Sequence, residues 1–238
     1  MPAAKTPKPI VYTKAVAALR VHANPERAGV YRWYFKDPGQ DVFLGVSTRD
    51  MRRVAGEFCS LPMADVRRLM RSRVHEERSL AHAILRWKFE KGSETERGRI
   101  FDFYLRHRRY IHSWDGVDDS APYIVGPYLL QREKALLYEL ARSSRLWDRR
   151  IAMVSTLCFI RQGYVEHTLK LAELLLKDEE DLIHKACGWM LREVGKKDPA
   201  ALKRFLRKHY RNMPRTMLRY AIERFPEPER QRYLKGLI

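Results

Sequence analysis

Apolar positions along this chain recur every three to four residues, the interval at which one face of an α-helix comes round. The strict alternation of a half-buried strand is nearly absent. Asn24-Pro25-Glu26 reads as an N-cap with proline at the first helical position, opening a helix to about Lys36. Asp37-Pro38-Gly39-Gln40 then reads as a turn. Ser47-Thr48-Arg49-Asp50 resembles a capping box with Asp in the usual Glu place, leading into a helix from Met51 to Leu61. The pattern predicts further helices over 63–72, 75–91, 94–111, 115–126 (kinked at Pro122), 129–143, 146–162, 165–176, 180–196, 199–209, 213–224 and 227–236. Ile124-Val125-Gly126-Pro127 reads as a helix stop.

Two segments look like copies of one unit. Asp148 to Met153 and His184 to Trp189 lie 36 residues apart, in the same place within a helix, each followed by a basic end. Glu77 to Leu85 falls about two such periods upstream. Helix pairs at this spacing predict an all-α, HEAT-like repeat α-solenoid with a concave basic groove. An irregular helical bundle is the alternative. The expected organisation is a flexible tail over 1–10 and one domain over 11–238.

Charge narrows the partner. The 47 Lys and Arg outnumber the 29 Asp and Glu, a formal net charge of +18 over 238 residues. An excess of this size points to a polyanion, because each cation set against a phosphate releases condensed counterions. The alternative is a merely well-solvated basic surface. Pairs such as Arg52-Arg53, Arg67-Arg68, Arg71 with Arg73, Arg106 with Arg108-Arg109, and Lys196-Lys197 recur at expected helix ends, with Lys185 and the aromatics Tyr31, Trp33 and Tyr34 among them. That repetition suits an element that follows a phosphate backbone.

Other classes lose support. Cys59, Cys158 and Cys187 are far apart and read as small buried hydrophobes in a reducing compartment. The eight histidines are scattered without metal-ligand spacing, so no metal is expected. No phosphate-binding glycine loop or nucleophile-elbow motif occurs, so no nucleotide cofactor is expected. Neither a signal peptide nor a membrane-length apolar run is found, which predicts a cytoplasmic protein, associated with the nucleoid when bound to nucleic acid.

The candidate chemistry lies at Ser113-Trp114-Asp115-Gly116-Val117-Asp118 and Leu146-Trp147-Asp148-Arg149-Arg150. Trp114 and Asp118 are one helical turn apart and share a face. Asp115 reads as a cap, Asp119 as a solvated charge. Trp147 falls in an apolar phase with Leu146 and Ile151 and reads as core, leaving Trp189, ahead of Arg192, as an exposed platform. Arg149 and Arg150 point about 100° apart, so one of them faces the groove; phase does not say which.

At these residues the sequence resembles the AlkD-like DNA glycosylases, the HEAT-like-repeat enzymes of alkylation repair. The similarity runs from about residue 25 to the C-terminal region. It is anchored at Phe43 to Val46, Ser113 to Asp118, Leu146 to Arg150 and Lys185 to Glu193. It implies that Trp114, Asp118 and Arg150 occupy catalytic positions, that Trp189 is a second aromatic of the site, and that Tyr34 contacts DNA. Arg52, Arg149, Lys185 and Arg192 are expected as further DNA contacts. The implied activity is monofunctional, cofactor-free removal of N3- and N7-alkylated purines, such as 3-methyladenine and 7-methylguanine, from double-stranded DNA. Such a monomer would leave the base in the stack and stabilise a cationic sugar. The rival from another class is a non-catalytic relative that binds distorted DNA. Departures from the family pattern are Ser113 before the tryptophan, Gly116 for a bulkier residue, the extra charge of Asp119, and a longer turn at Asp37 to Asp41.

Overall fold

The structure, a computed structural model, describes residues 11–35, 39 and 41–238. The tail over 1–10 and, Gly39 apart, the turn expected at Asp37 to Gln40 lie outside the described residues. The chain divides into two compact units, one up to Tyr110 and one from Ile111 onward. Both are α-helical; the described residues contain no strand, only a parallel bridge between Val42 and Val74.

The first unit holds α1 (Tyr12–Arg20), α2 (Pro25–Tyr34), α3 (Thr48–Glu57), α4 (Met63–Met70), α5 (His75–Lys91), α6 (Glu94–His107) and a 3-10 turn, Arg108–Tyr110. The pattern reading missed α1, whose buried stripe is only Ala15 and Leu19. Asn24 caps α2 as expected, its side chain accepting from the Arg27 N–H at 2.8 Å.

Helix α5 is the centre of this unit, packed by α1, α3, α4 and α6. Its first turn buries four polar residues, His75, Glu76, Glu77 and Arg78. Each carboxylate has partners, as burial requires. Glu76 accepts from the Leu44 and Gly45 N–H groups at 2.9 and 2.7 Å, and Glu77 from Arg20 at 3.1 Å and the Tyr12 hydroxyl at 3.2 Å. The 43–46 segment is thereby strapped to α5. Gly45 is needed there: its φ is +74°, and a Cβ would lie 2.1 Å from the Asn24 carbonyl oxygen.

The second unit holds α7 (Trp114–Asp118), α8 (Ala121–Leu129), α9 (Ala135–Ala141), α10 (Leu146–Ser155), α11 (Leu157–Arg161), α12 (Glu166–Leu174), α13 (Asp181–Lys197), α14 (Pro199–His209), α15 (Arg215–Ala221) and α16 (Glu227–Lys235). Two long predicted helices are in fact pairs. The expected kink at Pro122 is a break two residues earlier. The buried Ser120 hydroxyl donates back to the Gly116 carbonyl, which ends α7. Pro122 then sits in the first turn of α8, where its missing N–H costs nothing. The expected stop at Gly126-Pro127 lies inside α8, which continues to Leu129.

The second break falls in 146–162. There Ser155 and Thr156 donate their hydroxyls to the Ile151 and Met153 carbonyls at 2.6 and 2.7 Å, separating α10 from α11. Helix α10 is surrounded by α7, α8, α9, α12 and α13, so Ile151 to Val154 are all fully buried. Each large side chain among them contributes about 1.5–3 kcal/mol of burial. The copies predicted 36 residues apart lie on α10 and α13, which pack on each other. Of the cysteines, Cys187 is buried while Cys59 and Cys158 are half-buried; none is in a disulfide.

Candidate functional site

Helix α7 is a single turn, with Trp114 at its first position and Asp118 at its last. Gly116 and Val117 are buried beneath it against α8 and α10, which leaves Trp114, Asp115 and Asp118 half-buried. Asp119 is exposed just beyond.

Arg150 reaches this turn from α10. Its Nε donates to one Asp118 carboxylate oxygen at 3.0 Å and its Nη2 to the other at 2.8 Å, the planar two-bond fork that arginine forms with a carboxylate. Nη1 donates to the Leu182 carbonyl on α13 at 2.5 Å. Three of the five N–H donors of a guanidinium are thus placed, and the side chain is 5% exposed against 16% for Asp118. Burial pushes the Asp118 carboxyl above the ordinary aspartate range. Arg150 pulls it down, while the charges of Asp115 and Asp119 push it up again, and the net direction is upward.

Leu182, Lys185, Trp189 and Arg192 follow one another at spacings of three, four and three along one side of α13, all half-buried. Close packing fixes that helix. Gly188 lies so near α15 that a Cβ would be 2.5 Å from the Tyr220 Cβ and 2.6 Å from the Met217 carbonyl oxygen. Trp189 is therefore held beside a helix contact that cannot slide. Trp147, expected in the core, is half-buried as well, at the start of α10.

The remaining expected residues fall differently. Lys185 pairs with Asp181 at 2.8 Å, and Arg192 with Glu223 and with Glu193. Arg149 is turned inward. Its Nε and Nη2 bond the two Asp178 oxygens at 2.6 and 3.2 Å, and its Nη1 bonds the carbonyls of Ser143 and Ser144 at 3.0 Å each. Tyr34 and Arg52 belong to the first unit, exposed at the end of α2 and on α3.

Residues the pattern reading passed over complete the frame. Asp148 is buried and takes Arg145 at 2.9 Å and the Ser143 hydroxyl at 3.2 Å, and Arg145 also donates to the Ile111 carbonyl at 2.6 Å. That bond ties the approach to α7 onto the start of α10. Asp178 does the same for α13: its carbonyl bonds His184 Nε2 at 2.5 Å, and its carboxylate takes Arg149. The Cys187 thiol, pushed up by burial, is inert packing on α13. Asp178 stands in a run of charges from Lys177 to Asp181.

The arrangement places a fixed, partly desolvated carboxylate beside one indole. Such a carboxylate can stabilise positive charge that develops next to it. Among the described residues, no group of three His, Cys, Asp or Glu is placed to hold a metal ion, and no helix is long and apolar enough to cross a membrane.

A family model described as DNA alkylation repair enzyme matches residues 15–225. The fold is similar to that of a solved structure described as a predicted DNA alkylation repair enzyme from Enterococcus faecalis. The TM-score is 0.66 at 18% identity, covering 87% of this chain and 98% of that one. No curated protein matches the sequence at the level that marks a relative.

Proposed function

The chain belongs to the DNA alkylation repair enzyme family, and from that premise we propose that it is a monofunctional DNA glycosylase acting on N3- and N7-alkylated purines in duplex DNA. The observation that carries this reading is the buried two-bond pair of Asp118 and Arg150 on the turn that starts with Trp114.

The chemistry suits those groups. A purine alkylated at N3 or N7 is cationic, so it leaves without being protonated by the enzyme. What needs stabilising is the oxocarbenium-like sugar left behind. Asp118 supplies negative charge to that cation and orients the water that attacks it. Arg150 holds the carboxylate in one orientation before substrate arrives, so little reorganisation is needed at the moment of bond breaking. Trp114 and Trp189 offer indole faces to the positive sugar. Because the groups act on the sugar, the base stays in the stack in this reading.

Tyr34, Arg52, Lys185 and Arg192 are proposed to contact the DNA backbone, the last two by exchanging their carboxylate partners for phosphates. The packing of α10 on α13 supports reading the helix pairs as HEAT-like repeats lining a basic groove.

Product analysis tests the proposal. Duplex DNA carrying one 7-methylguanine should yield free base and an abasic strand that breaks only after alkali. Strand breakage without alkali, or no base release above the spontaneous rate, would count against it.

A further inference from the structure

Helix α14 divides cleanly into an apolar side and a cationic one. Ala201, Leu202, Phe205, Leu206 and His209 are buried, and Leu202 lies so near α13 that a Cβ on Gly195 would be 2.5 Å from its Cδ2. Beyond Ala200 every exposed residue of the helix is a cation: Arg204, Arg207 and Lys208. Their spacings of three and four place them on one face. Arg211, four residues past Arg207 and just beyond the helix end, extends the row and is exposed too. Its Nε donates to the Tyr210 hydroxyl at 3.0 Å, and that hydroxyl donates to the Ile238 carbonyl at 2.5 Å, which fixes where the guanidinium stands.

Little negative charge answers this row. The neighbouring Lys203 is turned to α16, where it pairs with Glu229 at 2.8 Å. Lys208 pairs with Glu173 of α12 at 2.8 Å, a contact exposed on both sides. Among the described residues, Arg204 and Arg207 have neither an ion pair nor a hydrogen bond. Helix α14 itself contains no Asp or Glu, and like charges at these spacings destabilise a helix. The helix dipole favours Arg207 and Lys208 in the last turn, but Arg204 stands a turn earlier.

The composition of the face selects its partner. A protein interface has an apolar core, and this face has none beyond Ala200. A helix lying on a membrane inserts its apolar side, and that of α14 is already buried. Guanidinium forks in a row match phosphates. The row from Arg204 to Arg211 covers about 10 Å of rise, against about 3.4 Å of duplex axis per phosphate of one strand. We propose that Arg204, Arg207, Lys208 and Arg211 bind the phosphate backbone of duplex DNA, on a helix that carries none of the Asp118 site. The proposal rests on the reading of DNA as the partner.

The test is the salt dependence of binding to an unmodified labelled duplex, measured by fluorescence anisotropy. Each neutralised phosphate contributes about 0.9 to the slope of log K against log salt. The variant Arg204→Gln/Arg207→Gln/Lys208→Gln should bind about tenfold more weakly or worse near 0.1 M salt, with the slope reduced by about one or more. Arg204→Gln alone, which breaks no contact of the fold, should move both in the same direction. A control that removes as much charge from exposed positions elsewhere, Lys14→Gln/Lys91→Gln/Arg99→Gln, should bind like the wild type. Unchanged affinity and slope in the α14 variant would overturn the proposal, and so would an equal loss in the control, which would make net charge the cause. Single-turnover release of 7-methylguanine at saturating protein should be the same in the α14 variant as in the wild type. Slower release with unchanged binding would put these side chains in the active site and overturn the proposal too. A slope change in the α14 variant alongside a wild type that releases no base sinks only the glycosylase reading.

Discussion

Arg150 and Asp118 are 32 residues apart in sequence and joined by two parallel hydrogen bonds, and the same guanidinium is pinned on α13 through the Leu182 carbonyl. One side chain thus links the three elements that carry Asp118, Arg150 and Trp189. The second of two adjacent arginines thus faces Asp118, while the first braces Asp178.

Arg150→Ala should cost both stability and base release. Removing one partner leaves Asp118 desolvated and unpaired, worth about 3 kcal/mol for a pair of this burial. Denaturant unfolding should show the loss, and single-turnover release of 7-methylguanine should fall at least a hundredfold. A variant as stable and active as the wild type would show that the fork is incidental.

The pH profile follows from the direction of the Asp118 shift. In the proposed mechanism the carboxylate acts in its ionised form, and its environment raises it from the ordinary 3.8. Release should therefore fall as pH drops through a midpoint above 3.8. Asp119→Asn removes a like charge that pushes the carboxyl up, so the midpoint should move to lower pH. A midpoint that stays or rises in that variant would contradict the assignment.

Arg149→Ala separates bracing from DNA contact. Asp178 is only 5% exposed and would lose its guanidinium, retaining the Glu180 N–H at 3.0 Å. Stability should drop by on the order of 2 kcal/mol. The salt slope for duplex binding should stay the same. A slope reduced by about 0.9 with no loss of stability would instead place Arg149 on a phosphate.

Gly188→Ala sets two effects against each other. Alanine gains about 1 kcal/mol of helix propensity over glycine. Its Cβ would meet the Met217 carbonyl oxygen at 2.6 Å, a backbone atom that cannot turn away. Overpacking costs about 1–3 kcal/mol, so the net change is destabilising. Thermal unfolding should show a lower Tm, and release should weaken as Trp189 is displaced. A raised Tm would mean that α13 and α15 separate freely.

How far the chain could be read depended on where each signal resides. Helices 75–91 and 199–209 were legible to the residue, because Gly92, Asp198 and Pro199 punctuate them locally. The breaks at Ser120 and Thr156 were not, since a serine or threonine hydroxyl bonding back to its own helix leaves the apolar period intact. The spacing of Trp114 and Asp118 announced their shared turn. Choosing between Arg149 and Arg150 needed their partners, and the partner of Arg149 is a buried acid inside a run of charges. Trp147 shows the opposite failure: its apolar phase is real, yet the start of α10 leaves it half-buried.

The central claim is that Asp118 carries base release, and one variant tests it directly. Asp118→Asn keeps the shape and replaces the charge. Its release of 7-methylguanine from a singly modified duplex should be measured at saturating protein, with duplex affinity measured in parallel. The account predicts affinity close to wild type and release no faster than the spontaneous rate. Release at the wild-type rate by that variant would contradict it.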